Sequence, residues 1–129
     1  MRVLVDSSVW IEYFRGSAAA SSLNTLLDSG QLCVNELILA ELIPALMHQR
    51  QQKIVSLLRE VDMVSLSPDW QNVVAMQTAN LRHGINKVGI ADVLIAQQAI
   101  LEGLALWSFD KHFALMAKQH DLRLWHSKG

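Results

Sequence analysis

Arg2-Val3-Leu4-Val5-Asp6-Ser7-Ser8 opens the chain, and Ala105-Leu106-Trp107-Ser108-Phe109-Asp110-Lys111 repeats its plan near the other end. Each is a short apolar run that closes on a carboxylate, after which a helical pattern begins. Runs this short do not separate strand from helix by periodicity, so length and flanking residues decide for strands. The same alternation fills the chain between them. It predicts strands at residues 2–6, 31–34, 63–66, 105–108 and 123–125. Helices are expected at 8–14, 18–28, 36–47, 51–60, 69–82, 90–102 and 111–119. Ser29-Gly30 and Gly103 stand where helices give way to strands. Asn35 is placed to cap the helix from Glu36, and Pro68 sits near the start of another, where its missing N–H costs least. Pro44 falls inside a helix and is expected to kink or divide it near Ile43. Short strands alternating with helices predict an α/β domain, a three-layer α/β/α sandwich on a largely parallel sheet.

Size and composition agree with one such domain over residues 1–129. Hydrophobic residues make up 51% of the chain, enough for a core without disulfides. The single cysteine, Cys33, lies between Leu32 and Val34 and reads as a small buried hydrophobe, which fits a reducing cytoplasm. No segment has the length of a signal peptide core or the roughly 18 apolar residues of a membrane span. The net charge is −1, so no global basic field marks a protein that grips long stretches of nucleic acid. An enzyme touching a few nucleotides through metal ions is still allowed.

Most of the twelve acidic residues fall on polar faces or at element ends. Four do not. Asp6 and Asp110 each follow a strand and precede a helix, and each has a competing reading as an N-cap. Glu41 is flanked by Ala40 and Leu42 and shares its helical face with Leu37, Ile38, Pro44 and Ala45. No Lys or Arg lies within a turn of it, so a buried carboxylate in need of a metal or a distant partner is expected. Asp92 sits in the first turn of a helix that is apolar nearly all round. The helix dipole there favours a negative charge by roughly 0.3–1 kcal/mol, which offers a purely structural role as well.

Open α/β sheets bind ligands beyond the carboxyl ends of their strands, which is where Asp6 and Asp110 stand. Several carboxylates brought together cannot all stay ionised unaided. A divalent cation relieves the conflict, and oxygen-only ligands select Mg²⁺ or Mn²⁺. Ser7, Ser8 and Ser108 are near enough in sequence to orient a carboxylate or hold a water. The five histidines show no zinc-like spacing, and no phosphate-cradling glycine loop is present. Two other readings remain open on residues alone. One is a phosphotransferase or phosphatase using Asp6, although Ser8 replaces the second acid such an enzyme usually has. The other is a non-catalytic α/β protein-binding module whose acids are caps and whose Trp10, Tyr13 and Phe14 meet a partner.

Four blocks carry a resemblance. Leu4-Val5-Asp6-Ser7-Ser8-Val9-Trp10-Ile11, Ile38-Leu39-Ala40-Glu41-Leu42, Gly89-Ile90-Ala91-Asp92-Val93-Leu94-Ile95-Ala96 and Leu106-Trp107-Ser108-Phe109-Asp110-Lys111-His112-Phe113 are similar, in order, to the signature blocks of the PIN domain. More narrowly, they resemble the VapC-type toxins of bacterial toxin–antitoxin pairs. Ser108 stands where threonine is common, a change that keeps the hydroxyl. The resemblance implies a five-stranded parallel sheet ordered 3-2-1-4-5 and a Mg²⁺- or Mn²⁺-dependent endoribonuclease, with transfer RNA a frequent target. It implies Asp6, Glu41, Asp92 and Asp110 as the catalytic acids, of which Asp6, Asp92 and Asp110 are the expected metal ligands. It also implies an antitoxin partner and a homodimer.

Overall fold

A computed structural model describes residues 1–127. The chain runs β1 (Val3–Val5), α1 (Ser7–Phe14), a 3-10 turn (Ala18–Ala20), α2 (Leu23–Asp28), β2 (Leu32–Val34), α3 (Glu36–His48), α4 (Gln52–Glu60) and β3 (Asp62–Met63). It continues through α5 (Trp70–Arg82), α6 (Ile90–Leu101), β4 (Ala105–Trp107) and α7 (Lys111–Ala117). The sheet is parallel throughout, in the order β3-β2-β1-β4.

The expected fifth strand is reduced to one bridge. Leu106 donates to the carbonyl of Arg123 at 2.9 Å and accepts from the N–H of Trp125 at 2.8 Å, and pairing goes no further. The order 3-2-1-4 is otherwise as expected, so the correction is from five strands to four and a single edge bridge. Trp125 still closes the sheet edge by packing on Trp107, with ring centroids 4.5 Å apart. β3 is also shorter and earlier than expected. Pairing with β2 takes in Asp62 and Met63, and only the N–H of Val64 beyond them, which bonds Val34 at 2.8 Å. α3 continues through Pro44 as one helix. The expected 18–28 helix is divided at Ser21–Ser22 into the 3-10 turn and α2.

β1, β2 and β4 are buried along their whole length, as a parallel sheet covered on both faces requires. The chain moves outward from β1 to β3 and then crosses back to β4. Right-handed crossovers therefore put α1 to α4 on one face and α5 to α7 on the other. The packing agrees: α1 meets α3 and α3 meets α4, while α5 meets α6 and α6 meets α7. Gly30 and Gly103 end α2 and α6 in the left-handed region, at φ +70° and +65°, where a side chain would be strained. Cys33 is fully buried and its thiol is pushed up to about 11 by burial, in keeping with a packing role.

A polar seam ties the two helical layers through the sheet end. Buried Asn35 caps α3 by accepting from the N–H of Ile38 at 2.8 Å, and its amide donates to Gln98 of α6 at 2.8 Å. Gln98 in turn donates to the carbonyl of Val64 at 2.8 Å. These links hold α6, and with it Asp92, in a defined position against β2 and the chain leaving β3.

Candidate active site

The direction of strand addition reverses at β1, between its neighbours β2 and β4, so the crevice beyond the carboxyl ends of β1 and β4 is where the topology places a site. Asp6 and Ser108 are the first residues past those strands. The backbone N–H of Asp6 bonds the carbonyl of Trp107 at 2.9 Å, so the two strand ends are held side by side.

Asp6 is 4% exposed. It occupies the N-cap position of α1 but makes no side-chain capping bond, which removes the structural reading left open by the sequence. Its Oδ2 instead accepts from Ser8 Oγ at 2.9 Å and from Ser108 Oγ at 2.8 Å. Each hydroxyl has one proton, and both protons go to the same carboxylate oxygen. The 3.3 Å contact between the two hydroxyls is therefore a consequence of shared aim rather than a third bond. The serine oxygens accept in turn: Ser8 from the N–H of Phe109 and Ser108 from the N–H of Asp110, both at 3.0 Å. Asp6 Oδ1 accepts nothing among the described residues, yet it is not sealed from solvent. A nearly buried carboxylate thus keeps one oxygen without a protein partner among the described residues.

Asp110 is half-buried at the N-cap of α7, where its Oδ1 accepts from the N–H of His112 at 2.9 Å. The capping role is real, and it leaves Oδ2 without a protein partner among the described residues. His112 folds back over the same carboxylate, with Nδ1 3.0 Å from Oδ1. Asp92 faces this pair from the first turn of α6. Asp92, Asp110 and His112 each bring one candidate ligand atom within 4.8 Å of the other two. Burial raises the Asp92 carboxyl above the ordinary range, and the charges of Asp110 and Asp6 raise it further. His112 and a backbone bond at Gly89 oppose the rise.

Glu41 corrects the expectation of burial. It is exposed, because Ala40, Pro44 and Ala45 around it are themselves exposed and that side of α3 is not covered by the rest of the chain. It still belongs to the site. Ser7 Oγ donates to its Oε2 at 3.2 Å. Partial burial and the charges of Asp6 and Asp92 raise its carboxyl, while Ser7 lowers it. Glu41 is therefore the rim of the acidic crevice rather than its floor.

Asp92 and Asp110 come together with His112, and Asp6 and Glu41 stand near enough for their charges to act on the same region. Ser7, Ser8 and Ser108 each touch one of the acids or its neighbour. His112 does not stand out by histidine–histidine spacing in the sequence. Its signal is an imidazole two residues beyond a strand-end aspartate, in the first turn of a helix. Residues 3–119 match the PIN domain family.

The chain belongs to the PIN domain family.

This PIN domain is 29% identical to a VapC ribonuclease from Mycobacterium bovis over 129 residues, covering 94% of this chain and 96% of that protein. Among solved structures it is similar to VapBC2 from Rickettsia felis bound to a promoter DNA fragment, with TM-score 0.78 and 19% identity over 99% of this chain and 100% of that one. DNA-bound VapBC from Salmonella typhimurium gives TM-score 0.77 and 15% identity, with 97% of both chains covered. VapC20 from Mycobacterium tuberculosis, a toxin that cleaves the sarcin–ricin loop, gives 0.64 and 18%, covering 88% of this chain and 93% of that one. At these identities the solved structures establish a shared fold.

Proposed function

We propose that this PIN domain is a divalent-metal-dependent endoribonuclease, the toxin of a toxin–antitoxin pair, with Asp6, Glu41, Asp92 and Asp110 as its catalytic carboxylates. The observation that carries the reading is the state of Asp6. One oxygen accepts two serine protons, and the other has no partner among the described residues and is not fully sealed. The charges of Asp6 and Asp92 act on Glu41, while those of Asp110 and Asp6 act on Asp92. A carboxylate cluster of this kind is suited to a hard divalent cation such as Mg²⁺ or Mn²⁺. When bound, such an ion stabilises charge at phosphorus and activates water for attack on a phosphodiester.

The protein's own residues have separable parts. Asp6, Asp92 and Asp110 hold the cation. Ser8 and Ser108 fix the plane of the Asp6 carboxylate so that its free oxygen faces the crevice. Glu41 stands on the solvent side, held by Ser7, where a carboxyl raised above its ordinary range is placed to take a proton from the attacking water. The named relative is a ribonuclease and the structural neighbours include toxin–antitoxin complexes, which supports RNA as substrate and an antitoxin as partner. A groove of about 360 Å³ between α1 and α3, walled by Ile11, Phe14, Leu42, Ala45 and Leu46, opens beside Glu41 and offers an antitoxin an apolar seat next to the acids. A homodimer gives cover to Trp70, Val74 and Leu81, exposed along α5.

The test is cleavage of structured RNA, transfer RNA first, by purified protein. Cleavage is expected with Mn²⁺ or Mg²⁺, and it is expected to fall to background in EDTA and in Asp6→Asn and Asp92→Asn. Cleavage that persists in EDTA, or survives both substitutions, overturns the reading.

A further inference from the structure

We propose that His112 is a direct ligand of the cation, so that the centre is a mixed carboxylate–imidazole site rather than an all-oxygen one. The inference rests on the metal-dependent reading above and goes beyond it in naming a nitrogen donor. His112 is half-buried, and its own backbone N–H anchors Asp110 Oδ1 at 2.9 Å. The ring and the carboxylate are thereby built as one unit at the first turn of α7, and Asp92 approaches that unit from α6. Their candidate donor atoms lie within 4.8 Å of one another. Donors on opposite sides of an ion with bonds of roughly 2.0–2.2 Å are about 4.3 Å apart. At most one of the three pairs can be opposite and adjacent donors are about 3 Å apart, so side chains at this limit draw together by up to about 1–2 Å to share an ion. Asp6, nearly buried, stands outside this group of three, and its charge acts on Asp92 from beside it.

An imidazole donor changes which ion the centre takes. Imidazole nitrogen suits transition metals, whereas Mg²⁺ is a hard ion that keeps oxygen ligands and waters. His112 accordingly makes the centre discriminate in favour of Mn²⁺ over Mg²⁺. The competing role is that of a positioning residue, in which Nδ1 only donates to Asp110 Oδ1 and never meets the ion.

The deciding experiment is pulsed EPR of the intact protein titrated with Mn²⁺ in the absence of RNA. A ¹⁴N modulation on the Mn²⁺ signal is expected. It should convert to the ¹⁵N pattern when histidine is ¹⁵N-labelled, a measurement that needs no variant. In His112→Ala, with folding checked by circular dichroism, the modulation should vanish. Mn²⁺ affinity should fall about tenfold, with Mg²⁺ affinity changing less. Mn²⁺ that binds with dependence on Asp92 but shows no nitrogen modulation overturns the ligand role and leaves the metal-dependent function standing. Failure to bind Mn²⁺ at all overturns both.

Discussion

Ser108 Oγ donates a 2.8 Å hydrogen bond to Asp6 Oδ2, joining the ends of β4 and β1 across a sequence separation of 102 residues. With Ser8 on the same oxygen, the bond decides which oxygen of Asp6 is left for the crevice. Ser108→Ala removes this donor and also strips the Asp110 N–H of its acceptor. Bonds to a charged group are worth about 1.5–3 kcal/mol. The substitution is expected to lower stability by roughly that amount in urea melts and to weaken Mn²⁺ binding. Ser108→Thr, which keeps the hydroxyl, should behave close to the parent protein. An alanine variant with unchanged stability and affinity would show that Ser8 alone orients Asp6.

Asp92 should destabilise the metal-free protein at neutral pH. Its folded-state carboxyl is raised by burial and then by Asp110 and Asp6. A raised carboxyl binds its proton more readily folded than unfolded, so its contribution is fully present below the unfolded pKa of about 3.9 and is lost as pH rises through the folded value. Asp92→Asn removes the penalty. In EDTA at pH 7 its melting temperature should exceed the parent's. The gain should disappear below about pH 4. Saturating Mn²⁺ should reverse the order, because only the parent gains binding free energy. A variant less stable than the parent in EDTA at pH 7 would contradict the electrostatic account of the crevice.

Asn35 joins a helix cap to the partner-layer helix that bears Asp92. Asn35→Ala removes the acceptor for the Ile38 N–H and leaves Gln98 Oε1 without its donor in a buried setting. A lost cap costs about 1 kcal/mol and an unsatisfied buried polar atom about 1–3 kcal/mol more. Denaturant unfolding should show a loss of about 2–4 kcal/mol. Divalent-ion affinity should fall as well, since α6 loses its tie to the sheet end. Full affinity in a destabilised variant would mean that Asp92 is positioned without this seam.

Much of the architecture is written in local pattern. The apolar runs ending at Asp6 and after Trp107, the glycines at 30 and 103, and the Asn35 cap all report on neighbours within a few residues. Physical rules that act over that range place them correctly. The division at Ser21–Ser22 and the unbroken run of α3 through Pro44 were less legible, because competition between helix propensity and packing is settled by contacts from elsewhere in the chain.

The last predicted strand shows the limit of pattern. Residues 123–125 have strand character, yet only Leu124 forms a bridge to Leu106. Strand length is set by how far an edge partner stays in register, which no single segment encodes.

The site divides the same way. Asp6 and Asp110 were legible as strand-end carboxylates, and Asp92 as an acid on an apolar helix, from the sequence by itself. Tertiary structure alone decided that Asp6 is not a cap, that Ser8 and Ser108 spend their protons on one oxygen, and that His112 completes a cluster with Asp92 and Asp110. It also decided that Glu41 is exposed. Apolar neighbours predict burial only if another element covers them, and Ala40, Pro44 and Ala45 have no such cover among the described residues. Sequence pattern reports which residues share a face; whether that face meets core, solvent or another carboxylate depends on distances between segments, and those exist only once the sheet has assembled.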